Sequence, residues 1–311
     1  MTSANGPAPL SGTQWTIRAG GHEAVVVEVG GGLRTYRVDG EDCVDGFTEA
    51  DLCPGCAGQV LAPWPNRIRD GRYTFAGQAR QVALTEPERH NALHGLVSWV
   101  NWHPVERRED AVVLECAMPA QIGYPWPLLL RTEWSVSGAG LRATHTVVNT
   151  GREDCPFGLA VHPYLMIPGV PVDDLELLLP ARSRLLVDGR LLPIGAAKVA
   201  GTDLDYTAGR RIGHARLDTA FGDLDPGPDG LVTARITAPD GRAVEVWGDE
   251  RFRWLQVYTG DSLIGDRIRR AVAVEPMTCP PDAFRSGRDV VVLAPGGSWQ
   301  GTWGIRPAGR R

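Results

Sequence analysis

Three consecutive pieces decide the fold: LLLRTEWSV at residues 128–136, SGAG at 137–140 and LRATHTVV at 141–148. The outer two place apolar and β-branched residues at alternate positions, as a strand with one face in a core requires. The glycines between them accept the positive φ of a tight hairpin. The reading is two long antiparallel strands joined by a short turn. The same grammar runs outward in both directions, at 24–29, 33–38 and 112–117, then at 231–237, 243–247, 254–258, 271–274, 290–293 and 300–305. Pro239-Asp240-Gly241 reads as a second hairpin turn, and Val29-Gly30-Gly31-Gly32 as a third. No apolar stripe at helical spacing is sustained over three turns; single turns, as around 281–284, are the most that is expected. With 38 Gly and 24 Pro, the chain reads as all-β, sandwich-like or barrel-like.

Composition sets wider bounds. The chain has 311 residues, 43% hydrophobic and 22% charged, enough to bury a large core. No composition break marks a linker, so residues 1–311 are expected to form one domain, with residues 1–12 as a flexible end. A net charge of −5 argues against nucleic acid, whose binders need a basic face. No apolar run reaches the roughly 18–20 residues that span a bilayer. The first ten residues lack the charged and apolar regions of a secretory signal, and a cytoplasmic location is the expectation. Of six cysteines, only Cys53-Pro54-Gly55-Cys56 forms a local cluster. It reads as a redox pair, as half a zinc site lacking its second half, or as a Pro-Gly turn with incidental thiols.

Four segments carry unusual polar groups. In Pro63-Trp64-Pro65-Asn66-Arg67-Ile68, two prolines stiffen the backbone around an indole and a planar cationic donor. That suits hydroxyl recognition, or a structural corner with a surface arginine. In Asn91-Ala92-Leu93-His94-Gly95, with Trp99 and Trp102 just beyond, the histidine sits in a loop as a proton carrier or as a structural residue. The indoles serve as faces for C–H groups or as core. In Phe157 to Tyr164, His162 ends an apolar strand and Pro163 stiffens the backbone after it. In Val272-Ala273-Val274-Glu275-Pro276-Met277, a carboxylate at a strand end is either solvated or desolvated toward the range of a general base. A carboxylate and a histidine together can open a cyclic hemiacetal. One removes the hydroxyl proton and the other protonates the ring oxygen, with no cofactor and no metal. No nucleophile elbow, P-loop or zincin helix competes.

At these residues the chain resembles the aldose 1-epimerase (galactose mutarotase) family. Pro-Trp-Pro-Asn-Arg-Ile at 63–68, Asn-Ala-Leu-His-Gly at 91–95, His-Pro-Tyr at 162–164, Asp-Thr-Ala-Phe at 218–221 and Val-Glu-Pro-Met at 274–277 occur in the family's order. The resemblance implies a large antiparallel β-sandwich, or supersandwich, with a small-molecule aldose bound in an open cleft on one sheet. It implies Glu275 as general base on the anomeric hydroxyl and His162 as general acid to the ring oxygen. His94 would be a second donor. Arg67 and Asp218 would hold sugar hydroxyls, with Asn66 and Trp64 as adjacent candidates. Three rivals share these residues. A hexose-6-phosphate 1-epimerase would need cations at the cleft, for which Arg267, Arg269 and Arg270 are candidates. A non-catalytic sugar binder is the second, and a glycosidase using Asp218 and Glu275 is the third.

Overall fold

The hairpin read at 128–148 lies inside a nine-stranded antiparallel sheet. The computed structural model describes residues 8–309. Strands Leu128–Ser137 and Gly140–Asn149 pair in register from Leu128 opposite Asn149 to Ser137 opposite Gly140. Alternation does what the sequence demands: Leu128, Leu130, Thr132, Trp134 and Val136 are all buried. Ala111–Met118 and His103–Arg107 extend the sheet on one side. Ser298–Gly309, Arg242–Gly248 and Val232–Thr237 extend it on the other, before two short edge strands. The Asp240-Gly241 turn joins two of these, with Ala238 N donating to Arg242 O at 2.8 Å.

Against this lies an eight-stranded sheet. In order it runs Pro193–Lys198, Ala181–Val187, Asp218–Leu224, Trp254–Tyr258, Val272–Met277, Ala160–Val161 and Val60–Leu61. Tyr164–Leu165 also pairs with Val272–Met277. One apolar core joins the two sheets. Trp134, Trp303 and Ile305 come from the first, and Phe221, Val257 and Val274 from the second. This is an antiparallel β-sandwich. A four-stranded sheet at residues 14–42 holds the third expected hairpin, whose Gly31 carbonyl accepts the Trp134 indole N–H at 3.0 Å. The expected helical turn is Ala283–Ser286, with Phe284 buried. Among the described residues, no helix is long and apolar enough to cross a membrane.

Three local readings are corrected. The strand placed at 271–274 runs on as Val272–Met277, so Glu275 lies within it and not at its end. The run from Phe157 to His162 is not one strand. Strand Cys155–Phe157 ends and a separate strand, Ala160–Val161, begins within it, with Gly158 N turned away to Pro63 O between them. Of the flexible end expected at 1–12, residues 1–7 lie outside the described residues. Residues 10–12 are held, with Leu10 N on Glu49 O and the carbonyl of buried Ser11 on Val29 N.

Candidate active site

The site begins with alternation on Val272–Met277. Val272 and Val274 point into the core between the sheets. Ala273, Glu275 and Met277 must point to the opposite face. There Ala273 packs with Phe47, Ala57 and Tyr164, while Met277 packs with Leu61, Ala160 and Trp254. Glu275 sits between these two apolar clusters and is 2% exposed. On the neighbouring strand, Gln256 is directly opposite Glu275, and its Nε2 donates to Asp218 Oδ1 at 2.6 Å. Glu275, Gln256 and Asp218 thus form a polar row across three adjacent strands.

His162 arrives from the gap after Ala160–Val161. Its carbonyl accepts Gly58 N at 2.8 Å, and its own amide donates to Gln59 O. Its ring stacks on Tyr164, centroids 4.9 Å apart, and the Tyr164 hydroxyl is fixed on Gly55 O at 3.0 Å. This places His162 Nε2 3.3 Å from Glu275 Oε1. His94 stands edge-on to His162 at 5.7 Å. Its Nδ1 accepts the Asn66 amide at 3.3 Å, so neutral His94 carries its proton on Nε2. Its own amide donates to Asn66 O, which locks the two loops together.

Arg67 lies on Arg67–Arg69, paired with Asn91–Leu93. The arginine is buried, and Glu86 grips it: Nε donates to Oε2 and Nη2 to Oε1, each at 2.9 Å. Asn66 Oδ1 accepts the Arg67 amide at 3.0 Å.

This crowding sets the electrostatics. Burial, then the charge of Asp218, holds Glu275 well above the usual carboxylate range, while Arg67 pulls it back. Burial pushes His162 down to about 4. His94 is also held well below its ordinary value, by burial first and then by His162 and Arg67. For Arg67, burial disfavours the charge, but the Glu86 bonds and the charges of Asp218, Glu86 and Glu275 outweigh it. Glu275 Oε2, His162 Nδ1 and Gln256 Oε1 are buried with no partner among the described residues. Buried polar atoms are normally paired, and three such atoms together mark a surface shaped for a polar ligand.

Glu275, His162, His94, Arg67, Asp218 and Asn66 therefore converge. Trp64 is 2% exposed and packs against Phe284 in the core, with its Nε1 buried and without a partner among the described residues. Trp102 is core as well, whereas Trp99 is 55% exposed. Gln256 and Glu86 were not singled out from sequence. Gln256 had a signal, a lone amide in the apolar strand WLQVY; Glu86, in a polar loop, had none. The Cys53 to Cys56 segment is a turn with free thiols. Burial, then the charge of Glu275, pushes the Cys56 thiol up to about 12; burial raises Cys53 too, opposite to a reactive pair. No group of three His, Cys, Asp or Glu among the described residues could hold a metal ion. The arginines at 267–270 are paired with carboxylates: Arg267 with Asp45, Arg270 with Asp45 and Asp266, and Arg269 with Asp173 and Asp261.

Comparison with known proteins gives concordant results. A family model described as aldose 1-epimerase matches residues 13–306. The uncharacterised protein YihR of Escherichia coli K12 is 33% identical over 288 residues, 92% of this chain and 90% of that one. In fold, the chain is similar to the GalM/aldose epimerase homologue of C. elegans, with a TM-score of 0.85 at 17% identity, over 96% of this chain and 99% of that one. It is also similar to galactose 1-epimerase of Lactobacillus acidophilus, with a TM-score of 0.79 at 20% identity, over 94% and 92%.

Proposed function

Because this chain belongs to the aldose 1-epimerase family, we propose that it interconverts the α and β anomers of a free aldose through Glu275 and His162. The observation that carries the proposal is the 3.3 Å approach of the imidazole to a carboxyl group buried between apolar clusters. With Glu275 raised and His162 lowered, a single proton can be carried by either member of the pair. When that proton sits on His162, Glu275 is a base and His162 an acid. Glu275 takes the anomeric hydroxyl proton as His162 protonates the ring oxygen. The C1–O5 bond breaks and the aldehyde forms. Glu275 is now protonated and His162 neutral, the distribution that burial favours. After rotation about C1–C2, the 5-hydroxyl attacks the other carbonyl face. Its proton returns to His162 and that of Glu275 goes to the carbonyl oxygen. Arg67 and Asp218, held by Glu86 and Gln256, bind sugar hydroxyls, and His94 donates from Nε2.

The pairing of Arg267, Arg269 and Arg270 with carboxylates supports a free sugar over a phosphosugar, since a phosphate needs uncommitted cations. Polarimetry on freshly dissolved α-D-glucose and α-D-galactose tests the reading. Wild type should accelerate mutarotation, and Glu275→Gln and His162→Asn should each lose about 10²–10⁴-fold. Folded wild type without acceleration would redirect the search to the 6-phosphates, and sugar binding without turnover would favour a sugar binder.

A further inference from the structure

We infer that Glu86 is a positioning residue for the reaction: it holds Arg67 in the binding geometry and keeps its guanidinium off the Glu275 base. The inference rests on the proposed epimerase reading. Glu86 lies outside the polar row, in a loop before Pro87–Arg89, yet is only 4% exposed. Both its oxygens are committed. Oε1 accepts Arg67 Nη2 at 2.9 Å and Arg89 Nη1 at 3.0 Å. Oε2 accepts Arg67 Nε at 2.9 Å and Asn91 Nδ2 at 2.8 Å. Backbone bonds between Glu86 and Asn91 fix the loop in turn, Glu86 N on Asn91 O at 3.0 Å and Asn91 N on Glu86 O at 3.1 Å. Arg190, from a distant hairpin end, closes the assembly on Arg89 O at 2.8 Å and His90 O at 2.7 Å.

A bidentate grip on Nε and Nη2 fixes the guanidinium plane. It leaves Nη1, 3.4 Å from Asn66 Oδ1, as the edge not held by Glu86. Without the grip, a buried guanidinium would turn to the carboxylates whose charge it already feels, Asp218 and Glu275. Either turn would cost a sugar contact, and the second would tie up the base. Glu86 also offsets the charge of Arg67. The groups that act on Glu275 or respond to it are His162, Asp218, Arg67, the Cys56 thiol and the Tyr164 phenol. Arg67 is the cation among them, so cancelling the charge of Glu86 strengthens the positive field at the Glu275–His162 pair. Both proton affinities of the pair then fall.

The test compares wild type, Glu86→Gln and Glu86→Asp for kcat, KM and the pH profile of kcat/KM, with melting curves as the folding control. Glu86→Gln should lower kcat/KM on the order of 10–100-fold, with KM raised, and should move both limbs of the profile to lower pH. Glu86→Asp keeps the charge but is one methylene short. It should lose kcat/KM while its limbs stay where those of wild type lie, which also carries the test if the glutamine variant does not fold. A residue needed only for stability would lower Tm and leave both kcat/KM per folded enzyme and the limbs in place; that result overturns the inference, as do limbs of Glu86→Gln that stay where those of wild type lie. A wild type that does not accelerate mutarotation overturns the underlying reading first, and this one with it.

Discussion

Glu275 and His162 titrate as a unit. As pH falls through about 4, the imidazole gains a proton while the carboxyl already holds one, and no base remains. As pH rises past the elevated value of Glu275, the shared proton is lost, and no acid remains. The kcat/KM profile should therefore fall at both ends of a scan from roughly pH 3 to 10. The His162→Asn variant should lack the alkaline limb in whatever activity it keeps, because no shared acid is left to lose, and should keep an acid limb set by Glu275. Rates that ignore pH over the whole scan would remove the pair from the mechanism. At this scale the sequence exposed the chemistry of Glu275, His162, His94 and Arg67 because their types and flanking prolines or glycines are unusual among strands. It did not expose Glu86, since an acidic residue in a polar loop has no local mark. Only its bonds to Arg67 give it one.

The elements set the tolerances within which these residues act. Gly95 has φ +74°, and a Cβ there would lie 2.0 Å from the Ala62 carbonyl oxygen. The residue before it is His94, tied to Asn66 by two bonds. Gly95→Ala should lose roughly 1–3 kcal/mol from backbone strain alone, read as a lower Tm. It should also lower kcat/KM by about 100-fold through a displaced His94. Gly138 is the control. A Cβ there meets nothing within 4 Å, so Gly138→Ala should leave stability within about 0.5 kcal/mol of wild type. Equal losses at both glycines would separate the His94 loop from any geometric role. Element identity was legible where alternation ran long, as at 128–148. It was not at 157–162, where apolar residues of two short strands and the break between them look like one strand. Nor could periodicity place Glu275 inside a strand, because a charge beside a proline reads as an ending. His162, 3.3 Å away, and Gln256, directly opposite on the next strand, are its polar neighbours there.

Across the whole molecule, the core carries a titratable group of its own. His145 lies between the sheets with Nδ1 2.8 Å from Thr132 Oγ1, and its Nε2 accepts the Trp303 indole N–H at 2.8 Å. Nδ1 therefore holds the proton. Burial lowers the pKa to about 3 from 6.5. The unfolded chain binds a proton in that window that the folded chain refuses. The stability from neutral His145 is thus complete above 6.5 and is lost as pH falls toward 3, by about 1.4 kcal/mol per pH unit. Chemical denaturation of wild type and His145→Gln between those limits should show a shallower decline in the variant. Parallel curves would mean that His145 is protonated in the fold. By itself, the sequence determined the all-β class, the central hairpin and the residues able to carry protons, because alternation, glycine turns and side-chain chemistry are local properties. Tertiary structure decided which of them meet. Pairing of strands far apart in the chain put Glu275, Gln256 and Asp218 in one row, brought His162 to 3.3 Å, sent Trp64 into the core and turned the arginines at 267–270 onto aspartates. Those outcomes depend on register and burial, which no single segment encodes.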